Sequence, residues 1–290
     1  MQRVLTAALG LPLLLAAVFL LPSDFFFGLV VLLLNWAALE YVRIARAWAP
    51  GAPLRAILAL VPLAALGLAV ATSPVAPSAP GAAGASTGLI SALASGPGAL
   101  LAAGLLLTVG MAVLVLVGRT PPTETMPALG AFCFGVPYFA LGIVAAYRLQ
   151  HLDPWLLFLG LMLIFAGDTA AYYVGSAIGS HKMTPVVSPN KSWEGAVAGF
   201  AAAVGVAALW AWLRLGGVPW ELLAVAAATA VAAQFGDLAE SMLKRGSGIK
   251  DSGNLLPGHG GMLDRADAML FALPVLLAGV WWIGPDRLMP

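Results

Sequence analysis

The chain has 290 residues, 61% of them hydrophobic and only 9% charged, against about 25% charged in an average soluble domain. That composition excludes water as the main solvent, and a formal net charge of +1 excludes the basic excess expected of a nucleic-acid partner. A single cysteine, Cys133, excludes an internal disulfide framework and any cysteine-based metal knuckle; inside its apolar run it reads as helix packing.

A spanning helix needs roughly 20 apolar residues to cross about 30 Å of hydrocarbon. Breaking the chain at charges, prolines and glycines predicts nine such spans, at 5–21, 25–41, 54–73, 98–118, 126–147, 154–178, 193–213, 219–239 and 266–283. The first follows Arg3 and has the layout of a signal peptide, but no small-x-small cleavage site comes after it, so it reads as a span. Glu40, at the end of the second, is expected to be an interfacial acid paired with Arg43. No charged side chain lies between Arg55 and Arg119. Within that stretch, residues 73–97 are rich in Pro, Ala, Gly and Ser and read as a flexible external connector without chemistry. No internal repeat of the kind that marks many secondary transporters is visible. The predicted fold class is therefore all-α: a polytopic transmembrane helical bundle of about nine helices. It forms one membrane domain over 1–290, with N-terminal helices to residue 150 and the chemistry in 154–283.

Nine spans place the termini on opposite sides. Eleven of the 14 lysines and arginines then fall on one side, and Arg148, Arg214 and Arg287 on the other. The positive-inside bias makes the first side cytoplasmic, with the N-terminus and the loops after spans two, four, six and eight. A chain without targeting extensions is expected in a bacterial inner membrane. The nine tryptophans lie mostly near span ends and read as interfacial anchors.

Charge gathers late in the chain. The 14 basic and 13 acidic residues total 27, and nine of these fall between positions 237 and 267. A charge at mid-bilayer costs about 2.5 to 3.5 kcal/mol on insertion scales, so such a cluster implies mutual pairing, a watery cavity or bound ions. Continuing span eight as a helix puts Asp237, Glu240, Ser241 and Lys244 on one face. Asp264 and Asp267, three apart, share a face at the start of span nine. Between these two helix ends lie six glycines, Gly260 and Gly261 among them, which let backbone amides approach an anion. Carboxylates, cations and amides together suit a metal-bound phosphate, with oxygens holding Mg²⁺ and the rest neutralising phosphate charge.

Two upstream segments belong to the same constellation. Asp168 places a carboxylate within span six, with Tyr172 one turn later. The next cytoplasmic loop, Ser188-Pro-Asn-Lys-Ser-Trp-Glu-Gly195, offers Lys191, hydroxyls and a carboxylate at the mouth of span seven. Plainer roles exist for each residue. Asp264 and Asp267 could cap a helix and pair with Arg265; Lys244 and Arg245 could serve topology and a Glu240–Lys244 helix pair. Asp168 could bond a neighbouring tyrosine or threonine, Lys250 and Asp251 could pair with each other, His259 could fix a turn, and Ser192 could be an N-cap.

The run Ser241-Met-Leu-Lys-Arg-Gly-Ser-Gly-Ile-Lys-Asp-Ser-Gly-Asn-Leu-Leu-Pro-Gly-His-Gly-Gly-Met-Leu-Asp-Arg-Ala-Asp267 closely resembles the signature of the phosphatidate cytidylyltransferase family. Its fixed positions are filled here by Ser241, Lys244, Arg245, Lys250, Asp251, His259, Gly260, Gly261, Asp264, Arg265 and Asp267. The segments around Asp168, Lys191 and Gly236-Asp237 are similar too, so the likeness covers roughly residues 165–283. The resemblance implies transfer of a cytidylyl group from CTP to phosphatidate, giving CDP-diacylglycerol and pyrophosphate. It further implies a metal centre of Mg²⁺ and a second cation such as K⁺ on Asp237, Asp264 and Asp267, with Asp168 and Asp251 as further candidates, and a homodimer. In that reading Asp237, Lys244, Arg245, Asp264 and His259 are catalytic, while Lys191, Ser241, Lys250, Gly260, Gly261 and Arg265 bind substrate. Two rival functions are a CTP-dependent transferase or kinase acting on another membrane lipid, and an ion-coupled transporter with Asp168 and Asp237 on its pathway. No Walker A pattern and no G-x-G-x-x-G after a strand are present.

Overall fold

The computed structural model describes residues 2–72, 110–111, 113–118, 120–253 and 260–289. The connector at 73–97, most of the span at 98–118, Arg119 and His259 lie outside the described residues. Among the described residues the helices with assigned bounds are, in order, α1 Gln2–Leu20, α2 Ser23–Ala45, α3 Ile57–Ala71, α4 Pro122–Leu152, α5 Pro154–Ile178, α6 Trp193–Leu215, α7 Trp220–Gly246 and α8 Leu263–Ile283. Among the described residues seven helical segments, α2 to α8, are long and apolar enough to cross a membrane, α3 together with the short turn of helix before it. The count of nine was thus approximate, while the all-α bundle is the observed architecture.

One element departs from pure helix. Between α5 and α6 a short antiparallel hairpin forms from β1 Lys182–Thr184 and β2 Ser188–Ser192, pairing Lys182 with Ser192 and Thr184 with Ser188. The segment predicted as a plain loop satisfies its own backbone groups this way at the bundle's end. Helix α4, at 31 residues, is about 46 Å long and overruns its predicted span at both ends. Its charged residues do not stop it, because each finds a partner. The Glu124 carboxylate accepts from the Gly51 amide at 2.7 Å, and buried Arg148 donates to Thr72 Oγ1 at 3.1 Å and to the Ala69 carbonyl, closing the end of α3.

Two apolar cores lie side by side. One joins α2, α3 and α4; the other joins the C-terminal half of α4 to α5, α6 and α7. Helix α8 belongs to both, giving Leu263, Ala266 and Leu270 to the first and Ala272, Leu273 and Leu276 to the second. It is the shared wall of the bundle.

The contact of α5 with α6 is set by small residues. A Cβ added at Gly195 would come within 2.7 Å of the Ala171 carbonyl oxygen, and one at Gly199 within 2.7 Å of that of Gly167. In lipid, helices associate through such close backbone approach because burial from water contributes little. This approach places Asp168, beside Gly167, at the mouth of the hairpin. Replacing Gly199→Val is expected to force α5 and α6 apart at a cost of about 1 to 3 kcal/mol. The midpoint of thermal unfolding in detergent should fall by several degrees; an unchanged midpoint would show that this contact does not hold the pair.

Candidate active site

The charged residues that cluster in sequence also cluster in space, at the end of the bundle where α5, α7 and α2 finish and α6 and α8 begin. Ser192 starts α6 as its N-cap, its hydroxyl accepting from the Gly195 amide at 3.2 Å. Lys191, one residue earlier, therefore extends from the hairpin toward α7, where its Nζ lies 2.7 Å from Asp237 Oδ2. Asp168, Tyr172, Asn190, Lys191, Gln234 and Asp237 line a cavity of about 240 Å³.

Asp237 is brought to α8 by the residue before it. A Cβ on Gly236 would sit 2.6 Å from the Asp267 carbonyl oxygen and 3.2 Å from Ala268 Cα, so α7 and α8 touch backbone to backbone there. The carboxylates of Asp168, Asp237 and Asp267 consequently lie within electrostatic range of one another, with Lys191 and Arg265 acting on Asp168 as the nearby cations. The Ser241 hydroxyl completes the group, donating to Asp237 Oδ1 at 3.5 Å.

Asp264 stands in a second, adjoining network. Lys244 Nζ is 2.6 Å from Asp264 Oδ1 and 2.5 Å from Glu240 Oε2. The same aspartate accepts from the Gly261 amide at 2.8 Å and the Ser252 amide at 3.2 Å. Asp264 thus has close partners of its own, while Asp267 lies in electrostatic range of Asp237 and Asp168 on one side and of Lys244 on the other. Among the described residues no three histidine, cysteine, aspartate or glutamate side chains form a ready metal cage. The residues still fit a hard cation: Mg²⁺ favours oxygen ligands and is commonly held by one or two carboxylates together with substrate phosphates and water, and the cavity presents Asp168 and Asp237 in that manner.

The remaining sequence candidates take varied places. Arg245 donates from Nε to the Val187 carbonyl at 3.3 Å, linking α7 to the hairpin. Lys250 and Asp251 are exposed in the following loop. Gly260 has φ +80, a conformation glycine adopts without steric cost, and turns the chain into α8. Its neighbour Gly261 directs its amide at Asp264. Thr169, a possible partner of Asp168, instead bonds its own helix at the Phe165 carbonyl, 2.6 Å away.

Sequence reasoning missed Glu40. Expected at the surface beside Arg43, it is 1% exposed and faces the catalytic half of the chain. Its Oε2 accepts from the Ser252 hydroxyl at 2.8 Å and the Leu263 amide at 2.9 Å, and its Oε1 from the Met262 amide at 3.1 Å. A carboxylate suits the positive N-terminal end of α8, and the free amides there outcompete an exposed arginine. Two glycines make room for it: a Cβ at Gly253 would lie 2.4 Å from Oε1, and one at Gly261 2.4 Å from Oε2. His181 was also unassigned; its Nδ1 lies 2.6 Å from Oε1 of Glu194, the carboxylate expected at the mouth of span seven, and pins the hairpin to α6.

An apolar bundle of helices long enough to cross a membrane, carrying adjoining networks of acids and bases at one end, has the architecture of an integral membrane protein. A sequence profile described as the cytidylyltransferase family matches residues 1–282. A phosphatidate cytidylyltransferase of Brucella suis is 39% identical over 192 residues, covering 63% of this chain and 69% of the relative. One from Brucella abortus (strain 2308) is 39% identical over 194 residues, 64% of this chain and 70% of the relative. One from Staphylococcus aureus (strain COL) is 38% identical over 148 residues, 50% of this chain and 57% of the relative. The chain belongs to the cytidylyltransferase family.

The Glu40 network carries its own test. In Glu40→Gln an NH₂ group replaces one acceptor, so at least one buried amide of Met262 or Leu263 loses its partner, at about 1 to 3 kcal/mol. Substrate turnover by Glu40→Gln should fall at least tenfold while Glu40→Ala falls further; wild-type turnover in both would remove Glu40 from the site's support.

Proposed function

We propose that this chain transfers the cytidylyl group of CTP to phosphatidate, releasing pyrophosphate and forming CDP-diacylglycerol. The observation that carries the reading is the Lys191–Asp237 pair at 2.7 Å on a cavity that Asp168 also lines. Carboxylates for a cation and a lysine for phosphate stand together there at the end of a membrane bundle. Family membership and the relatives named for this reaction support it. A cation pathway through Asp168 and Asp237 would be poorly served by Lys191, which sits directly on Asp237.

In the proposed reaction a phosphate oxygen of phosphatidate attacks the α-phosphorus of CTP. The new P–O bond forms as the bond to the β-phosphate bridging oxygen breaks, and pyrophosphate carries that electron pair away. Both reactants are anions, so catalysis is mainly alignment and charge neutralisation. A bound Mg²⁺ would supply Lewis-acid neutralisation of phosphate oxygens. Asp237 and Asp168 would hold it, with Asp267 beside them. Lys191 is placed to exchange its contact with Asp237 for a phosphate oxygen. Lys244 fixes Asp264 and the start of α8, and Arg265 acts on Asp168 from α8. A second cation such as K⁺, the homodimer, and the roles of Ser241, Arg245, Lys250, Asp251, His259, Gly260 and Gly261 at CTP remain part of this proposal through the family resemblance.

The orientation belongs to it as well. Arg43, Arg46, Lys182, Lys191, Lys244 and Arg245 stand at the site's end, whereas Arg148, Arg214 and Arg287 stand at the far end. The positive-inside bias supports a site at the cytoplasmic face, and the bacterial relatives support a bacterial inner membrane.

Purified protein given CTP, Mg²⁺ and phosphatidate should release pyrophosphate, stop when the metal is chelated, and resume when Mg²⁺ is returned. Asp237→Asn should lower kcat/KM by about 10²-fold or more. Turnover of a polyprenol with none of phosphatidate would overturn the assignment.

A further inference from the structure

The hairpin that carries Lys191 is too small to hold its own place. Its strands have three and five residues, their register is irregular between Lys182 and Thr184, and a lone two-stranded hairpin is marginally stable at best in water. Lys191 nevertheless reaches Asp237 at 2.7 Å, and Met183, Asn190 and Lys191 all line the acid cavity. The geometry of that side of the cavity therefore depends on what ties the hairpin to the helices.

Side chains tie it at two places among the described residues. Near the turn, Arg245 of α7 donates to the Val187 carbonyl. At the foot the tie is Glu194, in the first turn of α6. Its Oε1 and Oε2 accept from the His181 amide at 3.2 and 3.3 Å, and Oε1 also lies 2.6 Å from His181 Nδ1. The Trp193 amide answers by donating to the His181 carbonyl at 2.9 Å. His181 directly precedes Lys182, Lys182 pairs with Ser192, and Ser192 directly follows Lys191. These bonds thus join the two strand ends at the foot from which Lys191 extends, so a shift of backbone there moves its ammonium group. The His181 side chain is 82% exposed, where an ion pair contributes little; the main hold is the charge-assisted bond from its backbone amide.

We propose that Glu194 is a positioning residue for the transfer reaction: it clamps the entry strand of the hairpin to the start of α6 and so keeps Lys191 Nζ at the acid cavity, where a phosphate oxygen can take it over. The inference rests on the proposed reaction and adds a residue through which Lys191 is held. Ser192 and Gly195, on either side of Glu194, line the cavity, whereas Glu194 does not. Its effect on turnover therefore passes through the hairpin and not through contact with substrate.

A residue that acts through another has no effect of its own once the other is gone, which a double-mutant cycle reads. Glu194→Ala should lower kcat/KM with CTP and phosphatidate at least tenfold when Lys191 is present, since a misplacement of ~1 Å can cost about 10²-fold. In a Lys191→Ala background the same change should cost less than twofold. Equal losses in the two backgrounds would overturn the positioning role and leave Glu194 a structural residue. Hydrogen exchange read by mass spectrometry on the purified full chain tests the clamp without turnover. Residues 182–192 should exchange at least tenfold faster in Glu194→Ala while the bodies of α5 and α6 keep their protection; a hairpin as protected as in wild type would overturn the clamp. Where Glu194→Ala does not fold, Glu194→Gln, with one acceptor oxygen in place of two, should show at least a threefold effect in both measurements, and no effect in either would overturn the proposal. A wild-type protein inactive on phosphatidate would overturn the reaction, while hydrogen exchange would still decide whether Glu194 holds the hairpin.

Discussion

Charge kept at the end of an apolar bundle must be answered inside the protein, and the whole site is organised by how each carboxylate is answered. Glu40 is met by one hydroxyl and two helix-end amides. Glu240 and Asp264 share Lys244. Asp237 is met by Lys191, yet it also shares a cavity with Asp168, with Asp267 in electrostatic range of both. The first two groups hold the framework. The third concentrates negative charge around open space, which is where a divalent cation and a triphosphate would be stabilised most.

Helix α8 transmits this arrangement through the molecule. Its start is fixed from the N-terminal half by Glu40 and from α7 by Lys244, its backbone touches α7 at Gly236, and its body walls both apolar cores. The N-terminal helices are therefore more than a membrane anchor for the later residues. They complete the capping of α8.

The bundle was legible because hydrocarbon imposes length and composition on every span, and α5 and α6 begin where prolines, glycines and charges implied. The late charge cluster was legible for the same reason, since acids such as Asp237 are costly near lipid without partners. Helical spacing also anticipated the Glu240–Lys244 contact, and Ser192 proved to be the N-cap that its residue type favours. Long-range pairing was not legible. Glu40 lies 223 positions from Leu263, and only the fold reveals that its face turns inward; the local i, i+3 pairing with Arg43 was the nearest inference available. The ends of α4 were hidden likewise, because Glu124 and Arg148 read as terminators until Gly51, Thr72 and Ala69 are placed beside them. The separate partners of Asp264 depended on side-chain placement that spacing alone does not specify.

The central claim is that carboxylates from α5, α7 and α8 gather around a divalent cation that holds CTP. Electron paramagnetic resonance with Mn²⁺ in place of Mg²⁺ tests it most directly, using purified full-length protein with CTP present. Wild type should show tightly bound Mn²⁺ with couplings to phosphate phosphorus, and Asp168→Asn combined with Asp237→Asn should lose that signal while remaining folded. Undiminished Mn²⁺ binding in the folded double variant would contradict the account.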